Sequence, residues 1–387
     1  MEKISIFLLL SIGFLSFLTT KVSAVYDPLS LPNNKFGIHI LFDIELQKAS
    51  QLVNSTGGEW GYVLIPIQAG DKDLVKWQKF MDECKKYKLI PIIRLATEGD
   101  YFNTKVWRKP KEEDVLDFAN FLHSLSWPVK NRYIIVFNEV NRSDEWGGDL
   151  SPSEYGSILS YAVSVFKSKS DEFFIISAGL DNAAPSNGLY MNEYEYMRMM
   201  HYSLPGIFNQ IDGLASHSYP NPAFSQPPSS NTPQSAASFR YERDLAQSLS
   251  NKALPVFITE TGWTDSIGDE KRAEYYKEAF ESLWSDPGIV AVTPFLLRAG
   301  GGPFKQFAFL QGDDSPTKQH DMIEKLQKTK GRPILEERVL GTEAASKQQT
   351  APISAPVVYF AQNPDGKKDK IGVSNILQSS FSWIMKL

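Results

Sequence analysis

The sequence contains a single cysteine, Cys84, which excludes a disulfide within the chain and a metal site built from several thiolates. The formal net charge is −5, and no basic stretch is interleaved with aromatic residues, so nothing favours a nucleic-acid partner. After residue 24, no apolar run is long enough to cross a bilayer. At 387 residues and 42% hydrophobic content, the composition is that of a globular protein with one large domain and extensions.

The first 24 residues have the pattern of a secretory signal peptide. Lys3 supplies a positive charge, residues 4–18 are almost entirely apolar, and Val22-Ser23-Ala24 fits a cleavage site. We expect cleavage after Ala24 and a protein that is secreted or associated with the cell envelope. An uncleaved anchor is the alternative, because the apolar run is near the short limit for a membrane span.

Residues 132–141 form a nearly continuous apolar run that ends with Asn138, Glu139 and Asn141 among its last residues. Such a run predicts a strand that is buried on both faces, as in a parallel sheet. Similar runs predict strands at residues 35–42, 61–67, 89–95, 173–180, 213–219, 254–259 and 289–297. Helical patterns lie between them, at residues 43–54, 71–87, 112–125, from 151 onward, and at 192–202, 236–250, 269–284 and 316–330.

This alternation predicts an α/β fold with parallel strands and right-handed crossovers. Eight strand–helix units between about residues 35 and 331 predict a (β/α)8 TIM barrel. A doubly wound open sheet is the alternative, although no Gly-rich phosphate loop follows any strand. We assign residues 1–24 to the signal peptide, 25–335 to the barrel and 336–387 to a linker-like tail. The tail ends in a short amphipathic segment that could pack on the barrel or lie on a membrane surface.

Polar side chains follow several predicted strands at the end where TIM barrels build their active sites. They are Arg94 after strand three, Asn138 and Glu139 after strand four, His217 and Tyr219 after strand six, and Glu260 after strand seven. Two glutamates from distant strands suit cleavage of a glycosidic bond. One carboxylic acid protonates the departing oxygen, and the other carboxylate attacks the anomeric carbon or activates water. An arginine would keep one glutamate ionised and a tyrosine hydroxyl would orient it, while a less solvated glutamate would hold its proton near neutral pH.

Other residues near the strand ends have more than one interpretation. His39, at the end of strand one, either contacts substrate or makes a structural hydrogen bond. Trp146 and Trp263 are predicted to stack on sugar faces, with Trp146 favoured because its loop directly follows Glu139. Asp144 and Glu145 in the same loop are expected to be solvated charges.

The sequence resembles the clan A retaining glycoside hydrolases in three short motifs. Phe137-Asn138-Glu139-Val140 is similar to their acid/base motif. Thr259-Glu260-Thr261-Gly262-Trp263 is similar to the nucleophile motif of plant-type β-glucanases, and His217-Ser218-Tyr219 to the His-x-Tyr pair of cellulase-like members. The resemblance implies Glu139 as general acid/base and Glu260 as nucleophile, with retention through a covalent glycosyl-enzyme. It also implies that Asn138 contacts the sugar 2-hydroxyl and that Tyr219 and Arg94 support the nucleophile.

The sequence departs from this pattern after strand eight, where clan members usually carry a tryptophan. Residues 294–298 read Pro-Phe-Leu-Leu-Arg, and Trp263 or Phe295 would have to replace that platform. Arg298 would suit a carboxylate or sulfate on the substrate.

We therefore expect a secreted, monomeric retaining glycosidase that acts on a carbohydrate and uses no metal ion or organic cofactor. The alternative is a non-catalytic sugar- or cell-wall-binding protein on the same fold. Association with the cell envelope, through the N-terminal segment or the C-terminal tail, is compatible with either.

Overall fold

The computed structural model describes residues 25–98, 105–299 and 302–336 of the chain. Within these ranges the strands are β1 (Gly37–His39), β2 (Gly61–Gln68), β3 (Leu89–Ala96), β4 (Arg132–Ile135), β5 (Phe173–Ile176), β6 (Leu214–His217), β7 (Val256–Glu260) and β8 (Ile289–Val292). The helices are α1 (Leu46–Val53), α2 (Leu74–Tyr87), α3 (Glu112–His123), α4 (Pro152–Lys169), α5 (Glu193–Ser203), α6 (Ile207–Gln210), α7 (Ser238–Ser248), α8 (Asp269–Glu281) and α9 (Lys318–Lys325). In these ranges, no helix combines the length and apolar character needed to cross a bilayer. The predicted signal peptide and the tail after residue 336 lie outside the described residues.

Local sequence accounts for where these elements begin and end. β2 is buried at every position except Gln68, as expected for a strand covered on both faces. α2 begins after Asp73, whose carboxylate accepts the backbone N–H groups of Val75 and Lys76. It ends at Lys88, which adopts the left-handed conformation (φ 53°) common at helix C-termini.

All paired strands are parallel, and they follow chain order in two sheets, β1 to β5 and β6 to β8. Single parallel bridges join Phe36 to Val292 and Ile176 to Gly213, so the edges of the two sheets lie side by side at both junctions. The strand order does not reverse anywhere in the described part of the chain, which argues against a doubly wound sheet. The predicted parallel α/β fold is confirmed.

Most buried apolar side chains of the described residues pack in two clusters around the strands. The larger cluster joins strand residues such as Val63 to helix residues such as Trp77 and Phe118. The smaller one draws on β2 to β8 of both sheets through Tyr62, Leu64, Ile90, Ile92, Tyr133, Ile135, Phe174, Ile176, Ala215, Phe257, Val290 and Ala291. In β2 to β5 these are alternate residues, which point to one face of the sheet. The two sheets therefore share one apolar centre.

Several predicted elements are shorter in the structure. β4 ends at Ile135 rather than at residue 141, β5 at Ile176 rather than 180, β8 at Val292 rather than 297, and α9 spans Lys318–Lys325 rather than 316–330. Leu297 shows the reason: it is fully buried and its N–H donates to the carbonyl of His39, the last residue of β1, but Leu297 itself lies in the loop after β8. Apolar runs continue into buried loops, so burial alone does not show where a strand ends.

Candidate active site

Glu139 lies in a turn that starts where β4 ends. The N–H of Val136 still donates to the carbonyl of Ile176 (3.1 Å). Phe137 (φ 69°) and Glu139 (φ 36°) then adopt left-handed backbone conformations, which are strained for residues with side chains. The N–H of Glu139 donates to the carbonyl of Gly179 (2.9 Å), which fixes its backbone beside the segment that follows β5.

Glu260 is the last residue of β7 and is paired in register with His217, the last residue of β6. Its Oε1 accepts a hydrogen bond from Arg94 Nη1 (2.8 Å), and its Oε2 accepts one from Tyr219 Oη (3.1 Å). The same Arg94 nitrogen donates to Asn138 Oδ1. Two donors from different strands therefore hold both oxygens of the Glu260 carboxylate.

His217 lies between the two glutamates. Its Nδ1 is 3.0 Å from Glu139 Oε1, and its Nε2 is 3.9 Å from Glu260 Oε1. One oxygen of each carboxylate and one ring nitrogen all lie within 4.8 Å of one another. The ring is seated against Gly179, because a Cβ at that position would be 2.2 Å from His217 Cδ2.

The charges around this group favour a proton on His217 rather than on Glu139. Burial opposes the charged imidazole, but the charge of Glu260 and the hydrogen bond to Glu139 raise the pKa of His217. Burial also opposes the charged form of Glu139, yet the hydrogen bond with His217 and the charge of Arg142 lower the pKa of Glu139 to about 2. The expectation that a less solvated glutamate holds its own proton is therefore wrong for Glu139. The raised pKa of His217 favours a proton on its Nδ1, which is 3.0 Å from Glu139 Oε1.

His39 lies beside Glu260, with Nε2 at 4.0 Å from Oε1, and is fully buried. Its ring packs edge-on against Phe295, with the centroids 4.9 Å apart. Burial, together with the charges of Arg94 and His217, lowers the pKa of His39 well below its ordinary value and so favours the neutral ring. In the described part of the chain neither ring nitrogen has a hydrogen-bond partner, which leaves the predicted structural hydrogen bond unsupported.

Trp146 and Trp263 are both fully buried, so the prediction that they stack on sugar faces is wrong. Trp146 packs edge-on against Phe137 and Tyr155. Trp263 donates its indole N–H to the carbonyl of Gln226 (2.7 Å). Both residues are part of the core, where each large ring fills space between elements.

Arg298 is already paired within the protein. Its Nη2 is 2.6 Å from Asp314 Oδ1, and it lies close enough to the buried carboxylate of Glu45 to lower the pKa of that group, which burial raises. This pairing offsets its charge, so the predicted recognition of an anionic substrate group is not supported. Phe295, the other proposed replacement for the missing tryptophan, is buried and packs against Phe304.

Arg142, Gly179 and Asp181 contribute to the site but were missed by the sequence analysis. Arg142 approaches Glu139, with Nε at 3.7 Å from Oε2, and its Nη1 donates to Asp181 Oδ2 (3.0 Å). Gly179 contacts both members of the His217–Glu139 pair, as described above. Asp181 follows β5, so the rule that polar site residues follow strand ends would have found it if applied to that strand, whereas Gly179 has no side chain for that rule to detect.

The two acids that were expected to be solvated are not. Asp144 accepts hydrogen bonds from Arg142 Nε and Nη2 (3.2 and 3.0 Å). Glu145 is half-buried, and burial together with the charge of Glu139 raises its pKa to about 8. The loop after Glu139 is therefore an electrostatic part of the site.

Glu139, His217 and Glu260 carry atoms of the kind that a divalent cation takes as ligands. Both carboxylates already have partners that favour their charged form, because Arg94 binds Glu260 and His217, whose pKa is raised, binds Glu139. A metal ion would have to displace Arg94 and His217 or be repelled by their positive charge. The donor set therefore fits acid–base chemistry better than metal binding.

No family model and no curated protein sequence matches this chain. Solved structures do match. A GH39 β-xylosidase from Caulobacter crescentus is 12% identical, with a TM-score of 0.51 over 79% of this chain and 74% of that one. The endoglucanase Cel5A from Thermotoga maritima is 14% identical, with a TM-score of 0.52 over 77% of this chain and 100% of that one. The structural neighbours of the chain are clan A glycoside hydrolases, and at this level of identity what it shares with them is the fold.

Proposed function

We propose that the protein is a retaining glycoside hydrolase that cleaves O-glycosidic bonds of a poly- or oligosaccharide through two glutamates. The observation that carries the proposal is the separation of the two carboxylates, since an oxygen of Glu139 lies within 4.8 Å of an oxygen of Glu260. Carboxyl groups about 5–5.5 Å apart are typical of retaining enzymes, whereas inverting enzymes need about 6.5–9.5 Å to admit a water molecule. The glycosidase fold of the structural neighbours is consistent with this function.

The eight strands are proposed to close into a (β/α)8 barrel within residues 25–335. Support comes from the parallel bridges Phe36–Val292 and Ile176–Gly213 and from the apolar centre that both sheets share. In such a barrel the carboxyl ends of all strands meet at one opening. Closure would account for the meeting of Arg94, Glu139 and Glu260, which lie at or just after the carboxyl ends of three different strands.

In the first step, a carboxylate oxygen of Glu260 attacks the anomeric carbon while the bond from that carbon to the departing oxygen breaks. Arg94 and Tyr219 hold the attacking group, and Asn138 is placed beside Arg94 to meet the 2-hydroxyl. Glu139 delivers a proton to the departing oxygen. That proton comes from the His217–Glu139 pair and moves from Nδ1 to Oε1 across 3.0 Å.

In the second step, Glu139 accepts a proton from water as the water oxygen attacks the anomeric carbon of the glycosyl-enzyme. The ester bond breaks and Glu260 returns to a carboxylate. While Glu260 is esterified it carries no charge, so a like charge that would raise the pKa of Glu139 is absent, and Arg142 and Arg94 still favour the carboxylate form. Glu139 is therefore ionised when it must act as a base.

The test is covalent trapping with 2-fluoro-glycosides that carry activated leaving groups, across several sugars, followed by mass spectrometry of the labelled peptide. We expect a label on Glu260, no label in Glu260→Gln, and full labelling in Glu154→Gln, which removes an acid that binds Lys109 away from the pair. The sugar that labels identifies the −1 specificity. If no probe labels the protein and a polysaccharide panel is not hydrolysed, the glycosidase proposal fails in favour of a binding protein.

Cellular location is proposed from the sequence pattern alone. Residues 1–24 would direct export and be removed after Ala24, giving a secreted or envelope-associated monomer that binds carbohydrate and needs no cofactor. N-terminal sequencing of protein purified from an exporting host checks this. Val25 is expected as the first residue, and a retained Met1 would contradict cleavage.

A further inference from the structure

The side chain of Arg142 lies beside the oxygen of Glu139 that His217 does not bind. Its Nε is 3.7 Å from Glu139 Oε2, whereas His217 Nδ1 is 3.0 Å from Oε1. The backbone maintains the same arrangement, because the N–H of Arg142 donates to the carbonyl of Glu139 (2.9 Å). Positive groups therefore approach the Glu139 carboxylate at both of its oxygens.

Two other carboxylates fix the Arg142 guanidinium in this position. Asp144 accepts from Nε and Nη2 (3.2 and 3.0 Å), and Asp181 accepts from Nη1 (3.0 Å). The guanidinium also lies over the ring of Tyr190, 5.4 Å from its centroid. Only 9% of the Arg142 side chain is exposed. Turning the guanidinium away would leave the largely buried carboxylates of Asp144 and Asp181 without it, which is strongly unfavourable.

We propose that Arg142 is a positioning residue that fixes the Glu139 side chain and favours its carboxylate form. The inference rests on the proposed function and deepens it, because Glu139 must point at the glycosidic oxygen and must also act as a base. Arg142 acts through Glu139 rather than on the reacting atoms. Its loss should therefore lower kcat and leave KM almost unchanged.

Charged and titratable groups from several elements face Glu139. They are Arg94 on β3, Arg142, Asp144 and Glu145 on its own loop, Asp181 after β5, His217 on β6 and Glu260 on β7. Without Arg142, the cations that remain near the Glu139 carboxylate, among the residues that the structure describes, are His217 and Arg94. Removing a cation disfavours the ionised acid, so the pKa of Glu139 should rise.

The test measures the pKa of Glu139 by NMR of protein labelled at the glutamate carboxyl carbons, with the Glu139 signal identified by its loss in Glu139→Gln. In Arg142→Gln we expect that pKa to rise by about one unit or more. Arg142→Lys keeps the positive charge, so the pKa of Glu139 should stay close to its parental value in that variant. Arg243→Gln is the matched control, because Arg243 pairs with Asp286 through two contacts (2.8 and 3.1 Å) away from the site.

Kinetics of the same variants, on the polysaccharide that the parent hydrolyses, separate charge from position. Arg142→Gln should lower kcat about 100-fold and change KM by no more than about two-fold. Arg142→Lys should recover only part of kcat, because a lysine lacks the guanidinium that binds two carboxylates at once. A folded Arg142→Gln protein with the parental Glu139 pKa would overturn the inference. If that pKa rises but the parent turns over no sugar, the glycosidase proposal fails and the role of Arg142 toward Glu139 stands.

Discussion

Replacing Gly179 with alanine should disturb the His217–Glu139 pair. A Cβ there would lie 2.2 Å from Cδ2 and 2.4 Å from Nε2 of His217, so the ring must move about 1 Å to reach ordinary contact. The carbonyl of Gly179 also accepts the N–H of Glu139, so the substitution acts on both members of the pair. A hydrogen bond to a charged group contributes about 1.5–3 kcal/mol. A displacement of about 1 Å at a reacting group lowers the rate about 100-fold, and we expect that loss in kcat/KM.

The assay for this variant combines kcat/KM with NMR titration of the His217 ring. The pKa of His217 should fall in Gly179→Ala, because the contacts that raise it are weakened. Gly188→Ala is the matched control, since Gly188 lies in the same segment after β5 and, its two chain neighbours aside, no atom of the described residues lies within 4 Å of where its Cβ would be. A folded Gly179→Ala protein with the parental His217 pKa and parental kcat/KM would refute this reasoning.

The other predictions concern protons and a supporting donor. The pKa of His217 is raised, and the His217–Glu139 pair keeps its proton at pH values below that pKa. We therefore expect kcat/KM to fall as the pH rises through the pKa of His217. The same fall of kcat/KM at high pH in His217→Gln would contradict this. Tyr219→Phe removes the hydroxyl that donates to Glu260 Oε2 (3.1 Å) and should lower kcat about 10-fold, while labelling by the fluoro-sugar persists. An unchanged kcat would show that Tyr219 does not support Glu260. Buried Glu242 accepts a hydrogen bond from Ser216 Oγ (2.9 Å), and its pKa is raised from 4.5 to about 7, mainly by burial. The folded state therefore loses stability as the pH rises from 4.5 to about 7. In urea unfolding, the free energy of unfolding of Glu242→Gln should exceed that of the parent by about 3 kcal/mol at pH 8 but not at pH 4. The same difference in unfolding free energy at both pH values would contradict the link between the Glu242 pKa and stability.

The parallel α/β fold and part of the site were predictable because they depend on regular rules. Apolar runs that alternate with helical patterns predict parallel strands, and the carboxyl ends of such strands meet on one side. Arg94 lies near the end of β3 and Glu260 ends β7, and the two form the predicted ion pair at 2.8 Å. Tyr219 also reaches Glu260, as the resemblance implied.

What could not be predicted depends on contacts between loops. Arg142 and Asp181 are 39 residues apart, and they meet because Asn141 binds the carbonyl of Asp181 and joins the two loops. Trp146 and Trp263 lie in polar surroundings in the sequence, which gives no sign that both rings are buried. The pKa of Glu139 depends on such contacts as well, since Arg142 and His217 come from different loops and strands.

The most direct test of the central claim is the configuration of the first product, followed by proton NMR during hydrolysis of the polysaccharide that the protein cleaves. A Glu139–Glu260 pair acting by double displacement should release a sugar that first appears with the anomeric configuration of the substrate and only later mutarotates. A first product with the inverted configuration would contradict the account.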